Sequence, residues 1–279
     1  MNIRFSAPLL LFVLVTFLAM PKGAIPANLV ERVEGGQVDW TNRVIEATGI
    51  NHCPDKKANE AQARSLARHR AIETARENLL AIIKRIPIDS DKLVSDMLDN
   101  DQQRAEALRP YIKKAEVADI SYDSKRKVRV TLSLRMDGKV ADILLPAYIK
   151  TIEPIMQKIS SNNNGCKKYT GIVIDCRGIG FRPCLIPRIV NERNEEIFGP
   201  AYVSRECVIN GGMVKYVSGP DSRVKNLWLG PKPLVLKALR LIKEKPTVVV
   251  VTNADGEILR GDPNNLELFH DCKVVFILE

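Results

Sequence analysis

This sequence has few of the side-chain patterns that mark a catalytic centre. It contains three histidines, His52, His69 and His270, and no CxxC or HxxxH spacing of the kind that holds zinc. No GxSxG elbow precedes an acid and a histidine, so serine hydrolysis has no support. We therefore predict a protein that is not an enzyme and that needs no metal ion or other cofactor.

A glycine-rich segment at residues 177–180 follows a strand-like apolar run, which is where phosphate-binding loops lie. Its sequence, Arg-Gly-Ile-Gly, lacks the third glycine of a dinucleotide-binding loop and the Lys-Ser/Thr pair of a P-loop. The pattern predicts a structural turn rather than a nucleotide site.

The six cysteines follow no recognisable disulfide spacing. Cys53 stands in the first half, and the second half holds the other five, Cys166, Cys176, Cys184, Cys207 and Cys272. An odd number of cysteines cannot all pair within one domain. Cys176 and Cys272 adjoin strand-like apolar runs, which is typical of small buried side chains. We expect mostly buried thiols, with one disulfide among the loop cysteines.

The first 24 residues have the layout of a secretory signal peptide. Arg4 supplies a positive start, residues 9–20 form an almost wholly apolar run, and Pro21, Gly23 and Ala24 follow. The run is about a dozen residues long, short of the roughly 20 that a membrane-spanning helix needs. No cysteine at its end offers a site for a lipid. We predict cleavage and a periplasmic protein, with an uncleaved tether in the inner membrane as the alternative.

The formal net charge is +9, from 42 basic and 33 acidic residues. A basic surface favours acidic partners such as lipid headgroups or acidic proteins. Nucleic acid is the weaker interpretation, because the basic residues are interleaved with acidic ones and an exported protein rarely meets nucleic acid. We predict protein partners or self-association in the cell envelope, with peripheral membrane contact.

A long helix is predicted between residues 58 and 85. Small or apolar residues recur there at steps of three and four, which places them on one face: Ala63, Ala67, Ala71, Ala75, Leu79 and Ile82. Alanine at the start of this stripe allows close approach to a neighbour, so we expect the face to pack on a sheet. A strand at residues 38–48, closed by a turn at Gly49, precedes the helix.

The rest of the first half predicts a hairpin between two helical segments. Ser90 is expected to cap a short second helix, and Pro110 to mark the next break. Residues 112–122 and 127–136 are predicted to be antiparallel strands joined by a tight turn at 123–124. A helix at 140–159 and a polar link at 160–168 follow.

These segments resemble a known group of envelope proteins. The succession VDWTNRVIEATG, then residues 61–88 (AQARSLARHRAIETARENLLAIIKRIPI), then YIKKAEVADISY and KVRVTLSL, is similar to the Lpp-twenty lipoproteins and to the N-terminal domain of FlgT. The resemblance implies an α+β domain at residues 25–159, with a long helix packed on an antiparallel sheet, used in envelope assemblies and in some members in a flagellar ring. The lipidated cysteine of the lipoproteins has no counterpart here, so lipid anchoring is not implied.

Residues 169–279 predict an α/β domain after the link. Strands are expected at 171–176, 247–252 and 273–278, with a hairpin of 186–190 and 196–202, a helix at 233–243 and a turn at 253–256. A strand, a helix and a strand in succession indicate a crossover over a sheet.

Two sets of side chains are candidate sites. The first follows the strand ends where α/β proteins place ligands: Asp175, Arg177, Asn253 and Asp255. The second is a basic face on the long helix and the hairpin tip: Arg64, Arg68, Arg76, Lys125, Arg126 and Lys127. For the carboxylates of the first set, ordinary capping of loops is the favoured interpretation, because aspartate is common in turns. For the second set, a solvated helix face and a solvated turn are the usual interpretation.

The sequence as a whole predicts an exported structural or assembly protein of the envelope, associated with a flagellar ring, that acts by binding. The alternative is a periplasmic ligand-binding protein or enzyme whose site is formed by the four strand-end residues.

Overall fold

The computed structural model describes residues 28–53, 59–123, 126–149, 169–219 and 229–279. The chain is a mixed α/β protein. The predicted leader at 1–24, the predicted link at 160–168 and the predicted helix beyond residue 149 lie outside these ranges. None of the helices in the described ranges is both long and apolar enough to cross a membrane.

The first half contains a five-stranded antiparallel sheet. Its spatial order is β1-β2-β3-β5-β4, and the strands are β1 (Val30–Val33), β2 (Gly36–Asp39), β3 (Val44–His52), β4 (Glu116–Tyr122) and β5 (Lys127–Arg135). The prediction of a single strand at 38–48 is wrong, because residues 40–43 form a turn in which Arg43 takes a φ of 57°. Gly49 lies inside β3 rather than closing it. The predicted antiparallel pairing of residues 112–122 with 127–136 is confirmed, although β4 begins only at Glu116.

Helix α1 (Glu60–Lys84) packs its alanine stripe on this sheet. All six predicted stripe residues are buried, with exposures of 2% or less. Ala67, Ala71 and Ala75 pack in one cluster with Val128, Val130 and Leu132 of β5. The close approach also explains Gly49, since a Cβ there would lie 1.9 Å from the carbonyl oxygen of Ala71. The predicted helix and its sheet-facing side are confirmed.

Three shorter helices follow, α2 (Val94–Asn100), α3 (Gln102–Lys113) and α4 (Gly138–Leu144). The prediction that Ser90 caps α2 is wrong: the cap residue is Leu93, and the Ser90 hydroxyl lies 2.6 Å from that of Thr247. Pro110 does not end α3, because Leu108 and Ile112 on either side of it are both buried in the core. Tertiary burial offsets the hydrogen bond that the proline cannot donate.

The second half begins with a parallel sheet of order β10-β6-β13-β9. Its strands are β6 (Ile172–Asp175), β9 (Lys215–Ser218), β10 (Leu234–Lys237) and β13 (Val274–Leu278). The helix predicted at 233–243 is wrong, because β10 pairs with β6 instead. Leu236 is buried while Val235 and Lys237 are exposed, which is the alternation of a strand.

A second sheet, of order β11-β12-β7-β8, lies beside the first. Its strands are β7 (Arg188–Val190), β8 (Glu196–Phe198), β11 (Arg240–Ile242) and β12 (Lys245–Val250). The helices of this half are α5 (Arg205–Gly211), α6 (Asn253–Gly261) and α7 (Pro263–His270). The turn predicted at 253–256 is therefore wrong, because those residues form the first turn of α6.

The two halves share a continuous hydrophobic core. The rings of Trp40 and Tyr216 meet edge to face at a centroid distance of 5.8 Å, and the Thr41 hydroxyl donates to the carbonyl oxygen of Tyr216. Backbone amides of Leu185 and Ile186 donate to the carbonyl oxygens of Pro87 and Ile88. Packing and backbone hydrogen bonds together hold the halves in one arrangement.

Candidate functional site

Asp175 and Arg177, at the carboxyl end of β6, bind each other. The Arg177 guanidinium donates from Nε to Oδ1 at 2.8 Å and from Nη2 to Oδ2 at 2.7 Å, and the Arg177 amide also donates to Oδ1. The Asp175 side chain is 15% exposed. The hydrogen bonds from Arg177 lower the pKa of Asp175 despite its partial burial, which acts in the opposite direction. A carboxylate with these hydrogen bonds stabilises the loop in which it lies.

Replacing Asp175 by asparagine tests whether its carboxylate stabilises this loop. A lowered folded-state pKa means that ionised Asp175 stabilises the protein above the ordinary value of 3.8, and that this contribution is lost as the pH falls through the lower folded value. We expect D175N to reduce the free energy of unfolding by about 1 kcal/mol at pH 7. Urea titrations of both proteins from pH 7 to pH 2.5 check this. A difference that stays constant over that range contradicts the assignment.

Asn253 and Asp255 begin helix α6 and serve as part of its cap. The Thr252 side chain accepts from the Asp255 amide at 3.0 Å, and its hydroxyl donates to Asp255 Oδ2 at 2.7 Å. The Asn253 amide donates to Glu192 Oε2. These residues follow β12, whereas Asp175 ends β6 in the other sheet and Arg177 follows that strand. The structure therefore forms two separate local arrangements from the four predicted residues.

The basic set is partly brought together at one end of the five-stranded sheet. Two adjoining clefts, of about 590 and 190 Å³, share Glu60, Arg64 and Tyr122. Arg68 lines the larger cleft, and Arg126 and Lys127 line the smaller. We call the surface formed by Arg64, Arg68, Tyr122, Arg126 and Lys127 the basic cleft.

Local structure explains why these residues converge. Asn59 caps α1 by accepting from the Ala61 amide, which fixes the first turns where Arg64 and Arg68 lie. The β4–β5 hairpin closes through the Arg126 amide, which donates to the Asp123 carbonyl oxygen, and Arg126 takes a φ of 61°. Since α1 packs on the sheet, the helix start and the hairpin tip come to the same edge.

The basic cleft combines positive charge with an exposed aromatic ring. Tyr122 is 54% exposed. Arg64 pairs with Glu60 at 2.7 Å, but these side chains are 61% and 73% exposed, so the pair is weak and easily exchanged for another acid. Arginine, lysine and tyrosine together favour acidic groups on a partner, and tyrosine and arginine are enriched where proteins bind one another.

Two members of the predicted basic set do not join the basic cleft. Arg76 pairs with Glu73 and donates to the carbonyl oxygen of Lys113, farther along α1. Lys125 lies outside the described residues. Sequence reasoning missed Tyr122, since nothing in its local pattern distinguishes an exposed strand end from a buried one.

The described ranges contain no group of three or more histidine, cysteine or acidic side chains placed to hold a metal ion. Burial raises the pKa of the Cys184 thiol to about 12, and the Cys184 amide donates to the Tyr216 hydroxyl.

Comparison with known proteins adds one similarity. No curated protein matches the chain. Residues 171–279 match a family model described as the second domain of Treponema pallidum Tp0624. The match covers β6 to β13 and the helices between them, and it leaves the five-stranded sheet and the basic cleft outside. The second half of this mixed α/β chain is thus similar to a domain known from another protein, which implies two domains.

Proposed function

We propose that this protein is an exported structural or assembly component of the cell envelope, placed near a flagellar ring, that acts by binding an acidic surface of a protein partner. The observation that carries the proposal is the basic cleft, in which segments about sixty residues apart in sequence supply four basic side chains and an exposed tyrosine. The leader-like residues 1–24 support a periplasmic location.

The two domains are proposed to have different roles. Residues 25–159, with a long helix on an antiparallel sheet, are proposed to be the binding domain, in line with their resemblance to the Lpp-twenty and FlgT N-terminal group. Residues 169–279 are proposed to be an α/β support domain. The shared core between the halves supports this arrangement, because it joins the second half to the helix and sheet that carry the basic cleft.

The alternative of a ligand-binding or enzymatic second half has less support. Asp175 and Arg177 already satisfy each other, and Asp255 is engaged with Thr252. A site that offered charged groups to a ligand would hold them open rather than paired within a loop. Binding through the first half therefore remains the better proposal.

Neutralising the basic cleft tests the proposal in the organism that carries the gene. We expect deletion of the gene to impair swimming or detergent resistance. A loss of swimming indicates support of the motor, and a loss of detergent resistance indicates general support of the envelope. When the triple variant Arg64→Gln, Arg126→Gln, Lys127→Gln is expressed in the deletion strain, it is expected to restore less than about a tenth of the lost swimming or detergent resistance. The reason is that loss of three positive charges removes several kcal/mol of interaction with the acidic surface of the partner.

A charge-matched control separates the basic cleft from net charge. Arg70, Arg109 and Arg129 are exposed and lie outside the two clefts. The triple variant Arg70→Gln, Arg109→Gln, Arg129→Gln is expected to restore the phenotype in full. Equal rescue by both triple variants, with both proteins present at wild-type levels in the periplasm, contradicts the proposal.

A further inference from the structure

A small cavity lies between the two halves of the protein, and Arg43 forms part of its wall. The cavity has a volume of about 20 Å³ and is lined by residues of both halves. Most of these residues are apolar, among them Met136 and Leu145 of the first half and Val208 and Met213 of the second. A cavity of this size holds one ligand about as large as a water molecule.

The Arg43 guanidinium has an unused hydrogen-bond donor. Its Nη1 atom is fully buried and has no hydrogen-bond partner among the described residues. A buried polar group without a partner is costly, and the cost is larger when the group is charged. Burial lowers the pKa of Arg43 to about 10, although the charge of Asp137 acts in the opposite direction. The Asp137 carboxylate is itself engaged with Arg135 Nε at 2.7 Å.

Backbone of both halves surrounds Arg43. The residue lies in the turn between β2 and β3 with a φ of 57°, a conformation that glycine adopts more readily than a residue with a side chain. Its carbonyl oxygen accepts from the Met136 amide at 2.8 Å. From the second half, Gly212 comes so close that a Cβ there would lie 3.2 Å from Arg43 Nε. The guanidinium therefore lies at the junction itself.

The other polar side chains in the cavity wall already have partners. Trp40 Nε1 donates to Glu31 Oε2 at 2.9 Å. The Tyr216 hydroxyl donates to the Cys184 carbonyl oxygen at 2.9 Å and accepts from the Cys184 amide. The side chains of the wall thus offer a ligand mainly the charged donor of Arg43. A water molecule needs acceptors for its own hydrogens as well, whereas an anion needs only donors and positive charge.

We propose that Arg43 binds a monatomic anion, such as chloride, in the cavity between the two halves. The inference goes beyond the proposed function and does not depend on it. The volume of the cavity excludes polyatomic anions such as phosphate or gluconate. The apolar wall lowers the local dielectric constant, which strengthens the attraction between the anion and the guanidinium. Because both halves line the cavity, the bound anion stabilises their junction.

Thermal unfolding of the full chain tests the proposal. The Tm is measured in sodium chloride and in sodium gluconate of equal ionic strength. Chloride at about ten times its dissociation constant is expected to raise the Tm of the wild type by about 3 °C relative to gluconate, because it binds only the folded state. Arg43→Gln should lose this chloride-specific rise, whatever its own Tm. Arg135→Gln, which removes a 66% exposed positive charge outside the cavity, should keep it.

Crystals of the wild-type protein soaked in sodium bromide give a direct readout that requires no variant. We expect an anomalous scattering peak in the cavity, in contact with Arg43 Nη1. A water molecule in the cavity with no anomalous signal overturns the proposal. A chloride-specific rise in Tm that is equally large in the wild type and in Arg43→Gln also overturns it, because the anion then acts elsewhere.

Discussion

Replacing Gly49 by alanine is expected to destabilise the protein by about 3 kcal/mol or more. The added Cβ would lie 1.9 Å from the Ala71 carbonyl oxygen and 2.5 Å from the Ala75 amide nitrogen. Both atoms belong to the backbone of α1, so no side-chain rotation relieves the overlap and the helix must move off the sheet. Chemical denaturation followed by circular dichroism measures the loss.

Gly261 gives the matched control for this substitution. It lies at the end of α6, and a Cβ there meets nothing within 4 Å. Gly261→Ala is expected to change the free energy of unfolding by less than about 0.5 kcal/mol. A Gly49→Ala protein as stable as Gly261→Ala contradicts the close packing of α1 on β3.

Replacing Arg205 by alanine is expected to cost about 3 kcal/mol, because it leaves buried acceptors without a donor. The Arg205 side chain is only 16% exposed. Its guanidinium donates to Asp142 Oδ1 at 2.7 Å and to the carbonyl oxygens of Asp142, Pro146 and Ile149. These bonds join α5 of the second half to α4 and the segment after it, so the variant should also weaken the junction between the halves.

Lys139 separates this effect from the loss of a charge near Asp142. Its ammonium lies 3.9 Å from Asp142 Oδ2, and the side chain is 77% exposed. Lys139→Ala is expected to cost less than about 0.5 kcal/mol. Arg205→Lys should recover little stability, since an ammonium cannot match the several bonds of the planar guanidinium. Equal losses for Arg205→Ala and Lys139→Ala contradict the account of the junction.

The local sequence pattern predicts a helix or strand correctly where one face of that element is buried. The alanine stripe of α1 predicted both the helix and the side that meets the sheet, because small residues at helical spacing admit few other arrangements. The strand pattern predicts a turn at Gly49 because glycine usually marks one, whereas its role depends on Ala71, which that pattern does not include. Close approach of two backbones is a tertiary property.

Strand pairing overrides helix propensity at 233–243, and a capping signal indicates a helix at 253–256 where a turn is predicted. Leucine, alanine and lysine at 233–243 favour a helix, yet pairing with β6 makes residues 234–237 a strand. Thr252 and Asp255 have the spacing of a helix capping box, which was available in the sequence and indicates the start of α6 rather than a turn.

The candidate site was predicted only in part for the same reason. The basic residues of α1 and of the hairpin tip could be named from sequence, but their convergence depends on the pairing of β4 with β5 and on the packing of α1.

Site-specific crosslinking from position 122 tests the central claim most directly. A benzophenone amino acid is placed at Tyr122 in the full chain, expressed in cells of the source organism and irradiated. We expect a defined adduct to a protein with an acidic surface, present in the Arg70/Arg109/Arg129→Gln background and lost in the Arg64/Arg126/Lys127→Gln background. No adduct at position 122, or an adduct equally strong in both backgrounds, contradicts the claim that the basic cleft is a binding surface.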